Sequence, residues 1–172
     1  PTGGAITLNG SDSDKFRDIL RSKRWCGISD RKGAKYDVTD LGWNYYMNEF
    51  SAAIGIEQLK KMDHMNSIRK KIARRYSKEI GLDTKMPFNN ECSYHFYWIQ
   101  VRKRDGFMKK MQENSIETGI HYIPIHTMKF YKGKSKLPVT ENAAKNIVSL
   151  PLHPNLDEDD VDKIIKLTNQ LS

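Results

Sequence analysis

Cysteine is scarce, and its scarcity narrows the field. Cys26 and Cys92 form no CxxC pair and are too few to staple a small domain, which excludes a disulfide framework and a cysteine-rich zinc fold. Both are expected to be free, partly buried thiols. No apolar run approaches the roughly 20 residues needed to cross a bilayer, and PTGGAITLNG at the start offers neither the basic flank nor the apolar core of a secretory leader. The expected compartment is therefore cytoplasmic, with no membrane partner. The chain has no G-x-S-x-G, P-loop or dinucleotide fingerprint, no internal repeat and no heptad array. His121 and His126 stand five apart without a Cys or Asp at ligand spacing, so no metal site is expected.

What is present is the make-up of a folded protein. A hydrophobic content of 38% against 29% charged residues supports a core and argues against disorder. Lys and Arg number 29 against 21 acidic residues, a net charge of +8. Much of the excess lies in RKKIARR (Arg69–Arg75) and VRKRDGFMKK (Val101–Lys110), interrupted by apolar residues at helix or strand spacing. These read as solvated faces of amphipathic elements, so nucleic acid is not the expected partner. The excess also suits an acidic ligand such as a phosphorylated cofactor or a nucleotide.

GGAITLN (Gly3–Asn9) reads as a short strand, and SDSDKFRDILRSKR as a helix capped by Ser11 or Ser13. Periodicity then disappears from Trp25 to Asp40, predicting a long loop. A helix capped by Asn48 or Ser51 follows, mostly apolar at first, then striped by Met65, Ile68, Ile72, Tyr76 and Ile80, with a break or bend near Asp63–Met65 and an end at Gly81. Beyond it come a strand at Ser93–Arg102, a helix at Arg104–Ile116 and a second strand at Glu117–His126. A polar loop to Pro138 precedes a helix and an extended segment over Thr140–Leu156. Asp157 caps the last helix. His95 is expected inside the small domain as a hydrogen-bonded strand residue, with His64 on a helix surface and His153 structural.

The aromatic and amide cluster in LGWNYYMNEFSAAIGIEQL (Leu41–Leu59) sits before a helix rich in small residues. That stretch resembles the G-x-N-Y-R-M segment and A-A-x-G-x-x-Q-L helix of the DegT/DnrJ family, the pyridoxal-phosphate-dependent sugar-nucleotide aminotransferases. Five further stretches resemble the same family in the same order. They are Gly3–Gly4 with Thr7; the basic helix holding Arg69, Arg74 and Tyr76; Tyr94–His95–Phe96; Gly119–His126, similar to H-Y-x-P-x-H; and SLPLHPNLDEDDV (Ser149–Val161). Pro1–Thr2 stands in place of the family's Gly-Glu, Tyr46 in place of its Arg, and Gly119–Ile120 where Arg is common.

The resemblance implies an α/β class, α+β in its C-terminal part, as the C-terminal portion of an aspartate-aminotransferase-like fold. Residues 1–75 would end the large cofactor-binding domain and carry the dimer-contacting loop and helix. Residues 76–172 would form the small α+β domain. The implied activity is transfer of an amino group from an amino acid, glutamate above all, to a nucleotide-linked keto sugar, as in polysaccharide or lipopolysaccharide biosynthesis. The implied cofactor is pyridoxal 5′-phosphate, with Asn44 reaching its phosphate in the neighbouring subunit of a homodimer with shared active sites. Tyr46, Tyr122 and His126 are the implied substrate-binding residues. The family's Schiff-base lysine lies upstream of the Gly-Gly pair and hence upstream of Pro1. No catalytic residue is therefore assigned here: the chain is expected to be inactive alone and to need the upstream part of the same protein. Alternatives are a non-catalytic regulatory or assembly module of the same fold and a basic nucleic-acid-binding module.

Overall fold

A computed structural model describes residues 3–131, 133 and 136–172. Pro1 and Thr2, set against the family's Gly-Glu, lie outside the described residues, as do Lys132, Lys134 and Ser135 of the expected polar loop. The chain divides into two compact units, Pro1–Lys60 and Lys61–Ser172.

In the first unit α1 (Ser13–Arg24) leads into an antiparallel hairpin, β1 (Ile28–Lys32) and β2 (Lys35–Val38). The hairpin replaces the loop expected over Trp25–Asp40. Ile28 pairs with Val38, Ser29 with Asp37 and Lys32 with Lys35, and Gly33 turns the chain at φ +62°. Every residue of β2 is exposed, so no buried face imposes an alternating pattern on the sequence. Two expectations fail at the start of the chain. Gly3–Asn9 forms no strand, having no pairing partner among the described residues, and no side chain caps α1, whose N-cap is Asp12. No apolar side chain described in this unit is buried.

Helix α2 (Glu49–Glu79) runs without interruption, so the chain does not break near Asp63–Met65. No proline or glycine stands there to interrupt the hydrogen-bond ladder. Asn48 caps its start, Oδ1 accepting from Ser51 N at 2.8 Å. At its end the Asn169 side chain accepts from Gly81 N at 2.8 Å and donates to Glu79 O at 2.9 Å.

The second unit packs the later half of α2, α3 (Arg104–Glu113), α4 (Pro138–Asn146) and α5 (Glu158–Leu171) with an antiparallel pair, β3 (Tyr97–Gln100) and β4 (Ile147–Leu150). Tyr97 lies opposite Leu150 and Ile99 opposite Val148, placing their apolar faces together in the core. Tyr76 is fully buried, meets Tyr97 edge-on at 5.4 Å and donates its hydroxyl to Pro151 O at 2.8 Å. Burial raises the Tyr76 phenol well above the ordinary range and pushes Tyr97 up to about 12. Asp157 and Asp160 form the expected capping box on α5.

Three further sequence expectations fail, two in this unit and one at Cys26 in the first. The second strand shrinks to one bridge, in which Gly119 and Ser149 exchange both backbone bonds at 3.0 and 2.8 Å, before a 3-10 turn at Ile125–Thr127. Pro124 lacks the N–H a ladder would need. His95 is exposed and precedes β3 rather than lying within it. Cys26 is exposed rather than partly buried, whereas Cys92 is half-buried as expected.

Candidate functional site

The residues singled out in the sequence fall in two places, one in each unit. Asn44 and Tyr46 share the loop that leads into α2. Its backbone is strapped to the end of α1: Trp43 N donates to Lys23 O at 2.8 Å, Tyr45 N to Arg24 O at 2.9 Å, and Cys26 N to Trp43 O at 3.0 Å. A bridge joins Trp25 to Asn44. Two glycines permit this approach. A Cβ on Gly27, whose φ is +74°, would lie 1.8 Å from Asp40 O, and one on Gly42 would lie 2.0 Å from Gly27 N. Asp40 holds the base of the loop, accepting from Lys23 Nζ at 2.6 Å and from Leu41 N at 2.7 Å. These bonds, Lys23 first, hold its carboxyl below the usual range.

Asn44 itself is exposed, and no described residue takes its carboxamide. A neutral NH₂ donor on a fixed backbone is suited to orienting an anion. Beside it, the Arg24 guanidinium lies 5.3 Å from the Tyr46 ring centroid, with Trp25 at 6.5 Å. Tyr46 thus carries on its face a cation that its own position does not supply. Arg24 was not foreseen, because helix α1 and the loop are distant in sequence and meet only through the backbone straps.

Tyr122 and His126 share the segment after the Gly119 bridge. Tyr122 is exposed and meets His121 edge-on at 4.8 Å. His121 stacks on Phe96 at 5.5 Å and shares a 2.9 Å hydrogen bond, through Nδ1, with the buried Ser149 hydroxyl. A Cβ on Gly119 would lie 2.8 Å from His121 Cε1, so the glycine makes room for the imidazole. A hollow of about 510 Å³ beside His121 is lined by Glu117, Ser149, His153, Asp160 and Lys163 among others, but not by Tyr122 or His126. His126 Nε2 lies 3.1 Å from Glu141 Oε1, which also accepts from Leu137 N at 3.0 Å. Those two bonds, Leu137 first, hold the Glu141 carboxyl below its usual range. Among the described residues no group of three His, Cys, Asp or Glu is placed to hold a metal ion, and no helix is long and apolar enough to cross a membrane.

Comparison with known proteins gives one consistent result. The model of the DegT/DnrJ/EryC1/StrS aminotransferase family matches residues 2–168. A dTDP-4-dehydro-2,3,6-trideoxy-D-glucose 4-aminotransferase of Saccharopolyspora spinosa is 32% identical over 166 residues, covering 92% of this chain and 40% of that protein. Among solved structures, a DegT DnrJ EryC1 StrS aminotransferase from Brucella abortus matches at 32% identity with a TM-score of 0.78, covering 91% of this chain and 43% of that one. The sugar aminotransferase CalS13 from Micromonospora echinospora matches at 28% identity and a TM-score of 0.81, covering 91% and 45%. The chain spans less than half the length of these relatives.

Proposed function

Because the chain belongs to the DegT/DnrJ/EryC1/StrS aminotransferase family, we propose that it is the C-terminal part of an enzyme that moves an amino group from glutamate to a nucleotide-linked keto sugar. Residues 1–75 would complete the large domain and residues 76–172 the small one. When bound, pyridoxal 5′-phosphate supplies a carbonyl to carry the amino group and a ring to accept the electron pair released at carbon.

This chain's contribution is to bind and orient. Asn44 donates its amide N–H to the cofactor phosphate of the neighbouring subunit, and the straps to α1 hold the donor in place before the ligand arrives. Tyr46, with Arg24 over its face, meets the acidic part of the nucleotide sugar. Tyr122 and His126 contact the sugar portion. The lysine that condenses with the cofactor belongs to the upstream part, so the chain alone does not catalyse.

The single observation that carries this reading is the Asn44 loop, with a fixed backbone and a carboxamide that no described residue takes, inside a family match that runs nearly the whole chain. The lack of a buried apolar side chain among the described residues of the first unit supports a homodimer and an upstream portion as its covering partners. The test is incubation of the complete protein with glutamate, cofactor and a nucleotide-linked keto sugar, read by mass spectrometry. Appearance of the amino-sugar nucleotide supports the proposal; a cofactor-loaded protein that yields none across several keto sugars rejects it.

A further inference from the structure

His126 occupies the middle of the 3-10 turn Ile125–Thr127, which is closed by Thr127 N to Pro124 O at 3.0 Å and Met128 N to Ile125 O at 3.1 Å. Its side chain is only 15% exposed, so the ring has little freedom. The one described partner of that ring is Glu141, fifteen residues away on α4. Glu141 is itself tightly placed. Its N–H donates to Leu137 O at 2.9 Å, and its Oε1 accepts from Leu137 N as well as facing His126 Nε2. An ionised carboxylate only accepts, so Nε2 must carry the proton in this pair. In the neutral ring Nδ1 is then an acceptor, and no described residue occupies it.

We propose that Glu141 is a positioning residue that fixes the His126 tautomer and presents Nδ1 to a hydroxyl of the sugar moiety; the inference rests on the reading of His126 as a substrate contact. The complement of an acceptor nitrogen is a hydroxyl donor rather than a phosphate oxygen. Glu141→Ala removes the anchor, whereas the side-chain oxygen of Glu141→Gln still accepts from both Nε2–H and Leu137 N.

The experiment is steady-state kinetics on the complete protein carrying Glu141→Ala, Glu141→Gln, His126→Ala and the Glu141→Ala/His126→Ala pair. Loss of one anchored hydrogen bond predicts a KM for the keto-sugar nucleotide raised about five- to tenfold in Glu141→Ala, with kcat nearly unchanged. The inhibition constant of the free nucleoside diphosphate should stay where it was. Glu141→Gln should restore KM to within about twofold, and the double variant should be no worse than His126→Ala alone. An unchanged KM in Glu141→Ala, a double variant worse by the full Glu141→Ala factor, or an equal rise in the nucleoside diphosphate constant would overturn the proposal. Wild-type protein without turnover would instead sink the functional reading. Nitrogen-15 histidine spectra need no substrate: they should show Nε2-protonated His126 in wild type and a mixture of tautomers in Glu141→Ala. A mixture in both would overturn the pairing itself.

Discussion

At Asn44 a constrained backbone carries an unconstrained side chain. The neighbouring amides at Trp43 and Tyr45 are committed to α1, while the carboxamide is exposed without a described partner. Asn44→Ala in the complete protein is expected to raise the dissociation constant for the cofactor about ten- to a hundredfold, the value of one hydrogen bond to a charged group. Stability should change by less than about 0.5 kcal/mol, as for other exposed positions. A cofactor titration followed by absorbance, with a urea melt alongside, checks both. Unchanged affinity would return Asn44 to the status of a loop residue. The amide cluster drew attention to this position from the sequence alone, but nothing in the spacing announced Arg24 or Glu141. Those two meet Tyr46 and His126 through tertiary turns, and residues far apart in sequence leave no periodic trace.

Elements with a buried stripe or a cap were legible; elements held by backbone pairing were not. The stripe Met65–Ile80, the Asn48 cap and the Asp157–Asp160 box gave α2 and α5 nearly to their ends. The β1–β2 hairpin, exposed along β2, and the reduced Gly119 bridge escaped the reading. The hairpin and loop depend on the contact between Gly27 and Gly42, so Gly42→Ala must displace one backbone from the other. It should weaken cofactor binding at least as much as Asn44→Ala in the same titration, while the core around Tyr76 keeps its melting behaviour. Arg75 of α2 meets Glu79 on the same helix at 2.7 Å and reaches Glu158 at 3.0 Å and Asp162 at 2.7 Å on α5, with Lys71 on Glu158 at 2.5 Å. Arg75 first lowers the Glu79 carboxyl, and Lys71 first lowers Glu158. A carboxyl lowered in the folded state stabilises it above the unfolded value, near 4.5, and this contribution is lost as pH falls through the lowered folded values. Arg75→Met should therefore melt a few degrees below wild type at neutral pH. That gap should close as pH falls through the lowered folded values. A gap independent of pH would mean that packing of the arginine stem, not its charge, holds the helices.

For the whole molecule, the two units differ in what they bury. The second has a continuous core of Tyr76, Tyr97, Ile99, Met111 and Val148, whereas the first leaves Phe50 84%, Leu59 66% and Leu41 75% exposed. Apolar surface on that scale is normally covered. The isolated 172-residue chain should accordingly self-associate, and Phe50→Asp with Leu59→Lys should reduce the associated fraction in light scattering; a monodisperse wild-type monomer would count against a covering partner. The same surface suits the dimeric, shared-site assembly proposed for the complete protein. Its central claim is amino transfer, and the ultraviolet–visible spectrum of the cofactor-loaded complete protein tests it most directly. Glutamate should remove the long-wavelength cofactor band, and a nucleotide-linked keto sugar should restore it. A band that glutamate and other amino acids leave untouched, on protein shown to hold the cofactor, would contradict the account.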